Sequence, residues 1–270
     1  MLVPSLHPDH NEYVFGGDFE PSSRLLMQFA ILRGLCSASD KLHLTSFSIL
    51  NLLPYNADDG FYGTPLFTRL FLSLQMLHIS IITDQSHEGS FPRGPMMPFW
   101  DNTIQPRIFN PSAGFALILT SLTLEGDIDI GEFPDFSFAK LNYPRLSSPS
   151  LACFMFSEAS DLEGFIIRHK ATLCYLKLKH CTIPFPEGGR PSRYWAQIWN
   201  RFAEELMSLE ELVVESKMDT APGRPLNYAY FDPGWGYNSD YEEVPGDERD
   251  AEALAAFDAV VKSAAVHGQA

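Results

Sequence analysis

One short phrase recurs along this chain and limits what it can fold into. It reads leucine, two residues, leucine, one residue, leucine. It is spelled Leu74-Gln-Met-Leu77-His-Ile79, Leu119-Thr-Ser-Leu122-Thr-Leu124, Leu173-Cys-Tyr-Leu176-Lys-Leu178 and Leu209-Glu-Glu-Leu212-Val-Val214. Weaker copies are Leu42-His-Leu44 and Leu151-Ala-Cys153. In an extended strand alternate side chains share one face. Leu176 and Leu178 therefore point into a core, and Lys177 and Lys179 point away from it. One such strand cannot bury its apolar face alone, whereas stacked copies build a continuous core. Strands are expected near 42–46, 76–81, 121–125, 151–155, 174–179 and 211–215, paired in sequence order as one parallel sheet.

The third copy continues to Cys181 and Ile183, which completes the leucine-rich-repeat signature with Cys in its Asn/Cys place. There Cys181 is expected to help satisfy backbone groups as the strand turns away. The middle leucines, at 42, 77, 122, 151, 176 and 212, stand 35, 45, 29, 25 and 36 residues apart. Most of these intervals exceed a standard repeat and leave room for a helix and a loop. Trp195, Ile198, Trp199, Phe202 and Leu206 form one helical stripe, with Ser192 as its expected cap. Ser160-Asp-Leu-Glu163 reads as a capping box for a helix carrying Leu162, Phe165 and Ile166, with cations His169 and Lys170 at its end. Leu25–Leu35 and Phe67–Leu72 are the other two expected helices.

Two segments break this alternation. Asp84–Ile108 holds Pro92, Pro95, Pro98 and Pro106 and reads as a long loop. From Lys217 onward an aromatic and acidic stretch precedes a final helix with Leu254, Phe257 and Val261 on one face. A solenoid needs a terminal cap, and this is the candidate. The expected organisation is an N-terminal extension over 1–22, a leucine-rich-repeat-like α/β solenoid with one parallel sheet over 23–216, its loop at 84–108, and a capping tail over 217–270.

The formal charge of −15 repels phosphate backbones and anionic lipids, so neither nucleic acid nor a membrane is the expected partner. The N-terminus lacks a basic stretch followed by an apolar run and is read as no secretory signal. Cys36, Cys153, Cys174 and Cys181 form no C-x-x-C pair. Buried thiols in a reducing cytoplasm or nucleus are the expectation.

Catalytic chemistry does not converge. His7-Pro-Asp-His10 lacks further metal-ligand clusters, and Asp219-Thr-Ala221 lacks a second copy. Glu187-Gly-Gly-Arg190 lacks the lysine of a phosphate loop, and no G-x-S-x-G occurs. Asp127 and Asp129 share a face and read as a solvated strand edge, while Cys153 and Cys181 occupy inward positions where a thiol is inert. The chain is therefore read as non-enzymatic, with no cofactor and no metal.

Asp161-Leu-Glu-Gly-Phe-Ile-Ile-Arg-His-Lys170, Thr172-Leu173, Leu176-Lys-Leu178 and His180-Cys181, followed by the tryptophan-bearing helix and Leu209–Val214, resemble the repeat region of fungal F-box/leucine-rich-repeat-like proteins. The detailed resemblance covers about residues 146–216, and the looser repeat pattern about 23–216. It implies a substrate receptor of a cullin-type ubiquitin ligase, with protein partners that include the ligase adaptor. No F-box is legible. Residues 1–22 are too short for it, and Leu53-Pro54, the one comparable dipeptide, follows the first expected strand. An interaction scaffold outside ubiquitin ligases is the alternative. The expected binding face comprises the outward positions His43, Thr45, His78, Ser80, Thr123, Glu125, Lys177, Lys179, Val213 and Glu215, with the two lysines beside His78 and His43 as a basic spot.

Overall fold

The computed structural model describes residues 22–56, 60–82, 97–109, 117–132, 134–186, 189–217, 226–232, 236–238, 244 and 246–267. Its centre is a six-stranded sheet, every strand parallel to its neighbours. In order it runs β1 (Ser46–Leu52), β2 (Met76–Ile81), β3 (Ser121–Ile130), β4 (Ser148–Phe154), β5 (Tyr175–Lys179) and β7 (Glu211–Glu215). The expected pairing in sequence order is therefore found. The register aligns the repeated phrase, with Ile49, Ile79, Leu124, Leu151, Leu178 and Val214 side by side. From β2 to β5 these inward residues are completely buried.

The first strand is displaced from its expected place. Residues 42–45 precede it, and Leu42 is exposed. Phe47 and Ile49, not Leu42 and Leu44, stand opposite Leu77 and Ile79. Aromatic and β-branched residues suit a pleated, half-buried surface better than the leucines before them. In β4 the buried Pro149 takes the place of the first leucine, opposite Leu122, and the strand starts earlier than the leucines suggest.

Among the described residues six α- or π-helices accompany the strands: α1 (Ser23–Ala38), α2 (Pro65–Arg69), α3 (Trp100–Ile108), α4 (Leu162–Arg168), α5 (Trp195–Glu205) and α6 (Asp250–His267). Ser22 caps α1 by accepting the Leu25 amide, and Thr64 caps α2 by accepting that of Phe67, just before Pro65. The expected long loop at 84–108 is only partly right. Residues 83–96 lie outside the described set, but 97–108 are helical. α3 is a π-helix with Pro106 inside it, closed by the Phe109 amide donating to the Ile104 carbonyl. The wider turn accommodates what a regular α-helix would not. Trp100, Ile104 and Ile108 are buried, and Trp100 meets Phe136 and Phe154 edge-on. Between β3 and β4 the turns of 134–147 bury Phe136, Phe138, Leu141 and Tyr143 where other intervals hold a helix.

The α5 stripe is as read: Trp195, Ile198, Trp199, Phe202 and Leu206 are all buried. Its cap is Tyr194 rather than Ser192, with the Tyr194 amide donating to Gln197 Oε1 at 3.0 Å. The α4 capping box does not form. Asp161 takes the cap position at a left-handed φ of 48°. Ser160 is buried and donates to the Met155 carbonyl, while Glu163 turns to Arg193 and Arg201. A buried carboxylate gains more from two guanidiniums than from one amide.

Beyond the main sheet, β6 (Thr182–Phe185), β8 (Asn227–Asp232) and β9 (Gly236–Asn238) form a second sheet that the leucine phrase does not signal. α6 packs on α5 through Ala253, Phe257 and Val261, with Leu254 half-buried. Trp235 and Tyr241 of the expected aromatic stretch lie outside the described residues.

His169 is no helix-end cation. It is 3% exposed, its Nδ1 lies 2.7 Å from the Phe165 carbonyl, and its Nε2 accepts the Tyr143 amide at 2.9 Å. Only a neutral imidazole can make both bonds. Burial, with Arg168 adding to it, holds its pKa below the ordinary histidine value. The unfolded chain therefore binds a proton that the folded chain refuses. This contribution to stability is fully present above about pH 6.5. It is lost as pH falls from there toward the lower folded value. Thermal melts from pH 8 to 5 should show wild type losing more stability than His169→Gln. Parallel losses in the two proteins would refute the neutral-histidine assignment.

Candidate interaction surface

From β2 to β5 the inward face of the main sheet is sealed, while the outward face is not. Its rows run across the strands. One row is Ser48, His78, Thr123, Ser150, Lys177 and Val213. Across β2 to β7 the next is Ser80, Glu125, Ala152, Lys179 and Glu215. Of these side chains only Ala152 is buried. Eight of the ten expected positions, from His78 to Glu215, thus share this face. His43 and Thr45 do not, because they precede β1, and Ser48 stands beside His78 instead.

The expected basic spot is also corrected. Thr123 and Ser150 separate His78 from Lys177 across the row. Lys177 Nζ lies 2.6 Å from Glu215 Oε1. That bond raises the lysine's pKa and lowers the glutamate's, so both stay charged. His78 Nε2 stands 3.9 Å from Glu125 Oε2, beyond hydrogen-bond reach. The charges of the face stand on β3, β5 and β7, at Glu125, Lys177, Lys179 and Glu215, and small hydroxyl side chains gather where Ser121, Thr123, Ser148 and Ser150 come together. The serines of β4 escaped the sequence reading because Pro149 hides the repeat phrase. Their alternation around Pro149 and Leu151 was the available signal.

At the carboxyl ends of β3 to β5 lies a second group of polar side chains. Asp127 is exposed, but Asp129 is buried, so the pair is no solvated edge. Asp129 accepts from Thr182 Oγ1 at 3.3 Å and faces Lys217 Nζ at 3.6 Å. Burial raises its pKa in spite of both. Nearby, burial pushes the thiols of Cys153 and Cys181 up to about 12. At neutral pH neither is a thiolate, so neither is an activated nucleophile. Cys181 instead donates weakly to the carbonyls of Leu151 and Lys179, the backbone role its position implies.

Among the described residues, no group of three or more His, Cys, Asp and Glu is placed to hold a metal ion. No helix of the described residues is long and apolar enough to cross a membrane. The four cysteines are free. His7, His10 and Asp219 lie outside the described residues, as do Glu187 and Gly188. Compared with protein-family models, curated proteins and solved structures, the chain matches none of them.

Proposed function

We propose that this chain is a non-catalytic recognition module that takes a protein partner on the outward face of its parallel sheet. The observation that carries the reading is that face, on which, among the described residues, ten of the eleven aligned side chains keep contact with solvent. Parallel sheets in enzymes of the α/β type are covered by helices on both sides. A six-stranded parallel sheet left open on one side is what a repeat solenoid uses for binding.

A leucine-rich-repeat-like solenoid is the architecture we assign, and a recurring backbone feature supports it. Asn51, Cys153 and His180 all have positive φ, at 57°, 63° and 54°. Each stands two residues after an aligned inward residue, Ile49, Leu151 or Leu178. Non-glycine residues visit this region rarely. Three at one repeat position mark a shared turn out of the strand. After it the chain enters a second layer, where Met155 bridges Thr182.

The resemblance to F-box/leucine-rich-repeat-like proteins supports the narrower role of substrate receptor for a cullin-type ligase. The free thiols agree with a cytoplasmic or nuclear setting. A scaffold outside ubiquitin ligases is the second reading. A photo-crosslinking residue at Ser150, mid-face, tests the surface against the same residue at the exposed Ser263 of α6. Ser150 should yield a discrete protein adduct and Ser263 should not. Equal labelling from both would reject the face. A cullin adaptor in the Ser150 complex would support the receptor role, and its absence would leave the scaffold.

A further inference from the structure

The two ends of the main sheet differ. β7 closes one end, bracketed by Glu211 and Glu215, with α6 packed beside it. At the other end, among the described residues, β1 pairs with β2 alone. Its sequence, Ser46 to Leu52, holds no charge and no proline, the usual protections of an open strand edge. Its inward Phe47 and Ile49 are only half-buried, whereas their aligned neighbours Leu77 and Ile79 are sealed. Among the described residues, the last layer of core on this side is left half-buried.

α1 continues the same end. Leu25, Leu32 and Cys36 face the core, and Arg33 lies over the Phe61 ring toward the next repeat. At 100° per residue, Arg24, Met27, Ile31 and Leu35 form a separate stripe, with Ile31 about 160° around from Arg33. That stripe therefore faces away from the next repeat. Met27 is 63% and Ile31 56% exposed. Charge sets this end apart too. Residues 22–53 carry Arg24, Arg33 and Lys41 against Asp40, in a chain of net charge −15. All three cations are exposed.

From the open edge, the half-buried apolar layer and the local positive charge, we infer that this end is a second docking surface, for an acidic strand-forming segment of a partner protein. Added beside β1, such a segment would gain backbone hydrogen bonds along the edge. Its apolar side chains would cover Phe47, Ile49, Met27 and Ile31, and its carboxylates would meet Arg24. A second copy of the chain fits less well, because it would bring Arg24 against its own counterpart.

The test uses the full chain and two labelled nine-residue peptides, one alternating Glu with Val, the other with Lys in place of Glu. Fluorescence anisotropy should show the acidic peptide binding at least tenfold more tightly than the basic one, and more weakly as salt rises. Arg24→Glu and Met27→Ser/Ile31→Ser, both at exposed positions and checked by circular dichroism, should each lower its affinity at least tenfold. No binding of the acidic peptide at about 100 µM, equal affinity for both peptides, or unchanged affinity in both variants would overturn the inference. So would a concentration-dependent dimer abolished by Met27→Ser/Ile31→Ser, which assigns the end to a second copy. Binding seen only after residues 1–21 are cleaved away would assign it to the chain's own first residues.

Discussion

Truncating Phe202 to alanine should destabilise the chain by about 3–5 kcal/mol, the usual range for emptying a completely buried aromatic position. Phe202 is 0% exposed. Its ring lies 6.0 Å from Trp199, 6.1 Å from Phe257 of α6 and 6.4 Å from Phe156 beyond β4. It therefore joins α5 to α6 and both to the segment leaving the sheet. Removing the ring opens a void between three elements that cannot collapse together, because Trp195 and Trp199 are stacked against each other at 5.2 Å. Urea unfolding followed by tryptophan fluorescence measures the loss. A loss below about 1 kcal/mol would show that α5 does not hold the sheet.

Most of the sheet was legible because its signal is local. Leu-x-Leu in a strand fixes which side chains go in, and four copies fix the stacking. The reading failed where another residue fills a leucine's role, as Phe47 and Ile49 do in β1 and Pro149 in β4. It also failed where periodicity gives way to shape. Pro106 argued against helix, yet a π-helix around it buries Trp100. The candidate face was legible to the extent that outward positions follow from inward ones. Its electrostatics were not. Whether Lys177 meets Glu215 or an incoming partner depends on strand register, and register across 36 residues of chain is set by packing rather than spacing. The Glu163 cluster is of the same kind. Arg193 and Arg201 reach it from 30 and 38 residues away. Asp129 reads as a surface carboxylate until Thr182 is brought against it.

Replacing Asp250 by alanine should cost about 3 kcal/mol or more, since hydrogen bonds to a buried charged acceptor contribute about 1.5–3 kcal/mol each. Asp250 is 1% exposed at the start of α6. Its Oδ1 accepts the Ala196 amide at 2.8 Å, and its Oδ2 accepts the Tyr228 hydroxyl at 2.6 Å. Tyr228 Oη in turn accepts the Trp195 amide at 3.1 Å, and Trp195 Nε1 donates to the Asn227 carbonyl at 3.0 Å. One carboxylate thus ties the first turn of α5, the strand β8 and the first turn of α6 together. It also supplies negative charge where the α5 amides are unpaired. Alanine leaves an amide and a hydroxyl buried without their acceptor. Asparagine keeps the shape but can accept through one oxygen only, so Asp250→Asn should fall between wild type and Asp250→Ala. Because Asp250 and Phe202 secure the same α5–α6 contact, the double variant should lose less than the two single losses combined. If the losses add in full, or if Asp250→Ala stays within about 0.5 kcal/mol of wild type, the C-terminal helix is held by its apolar face alone.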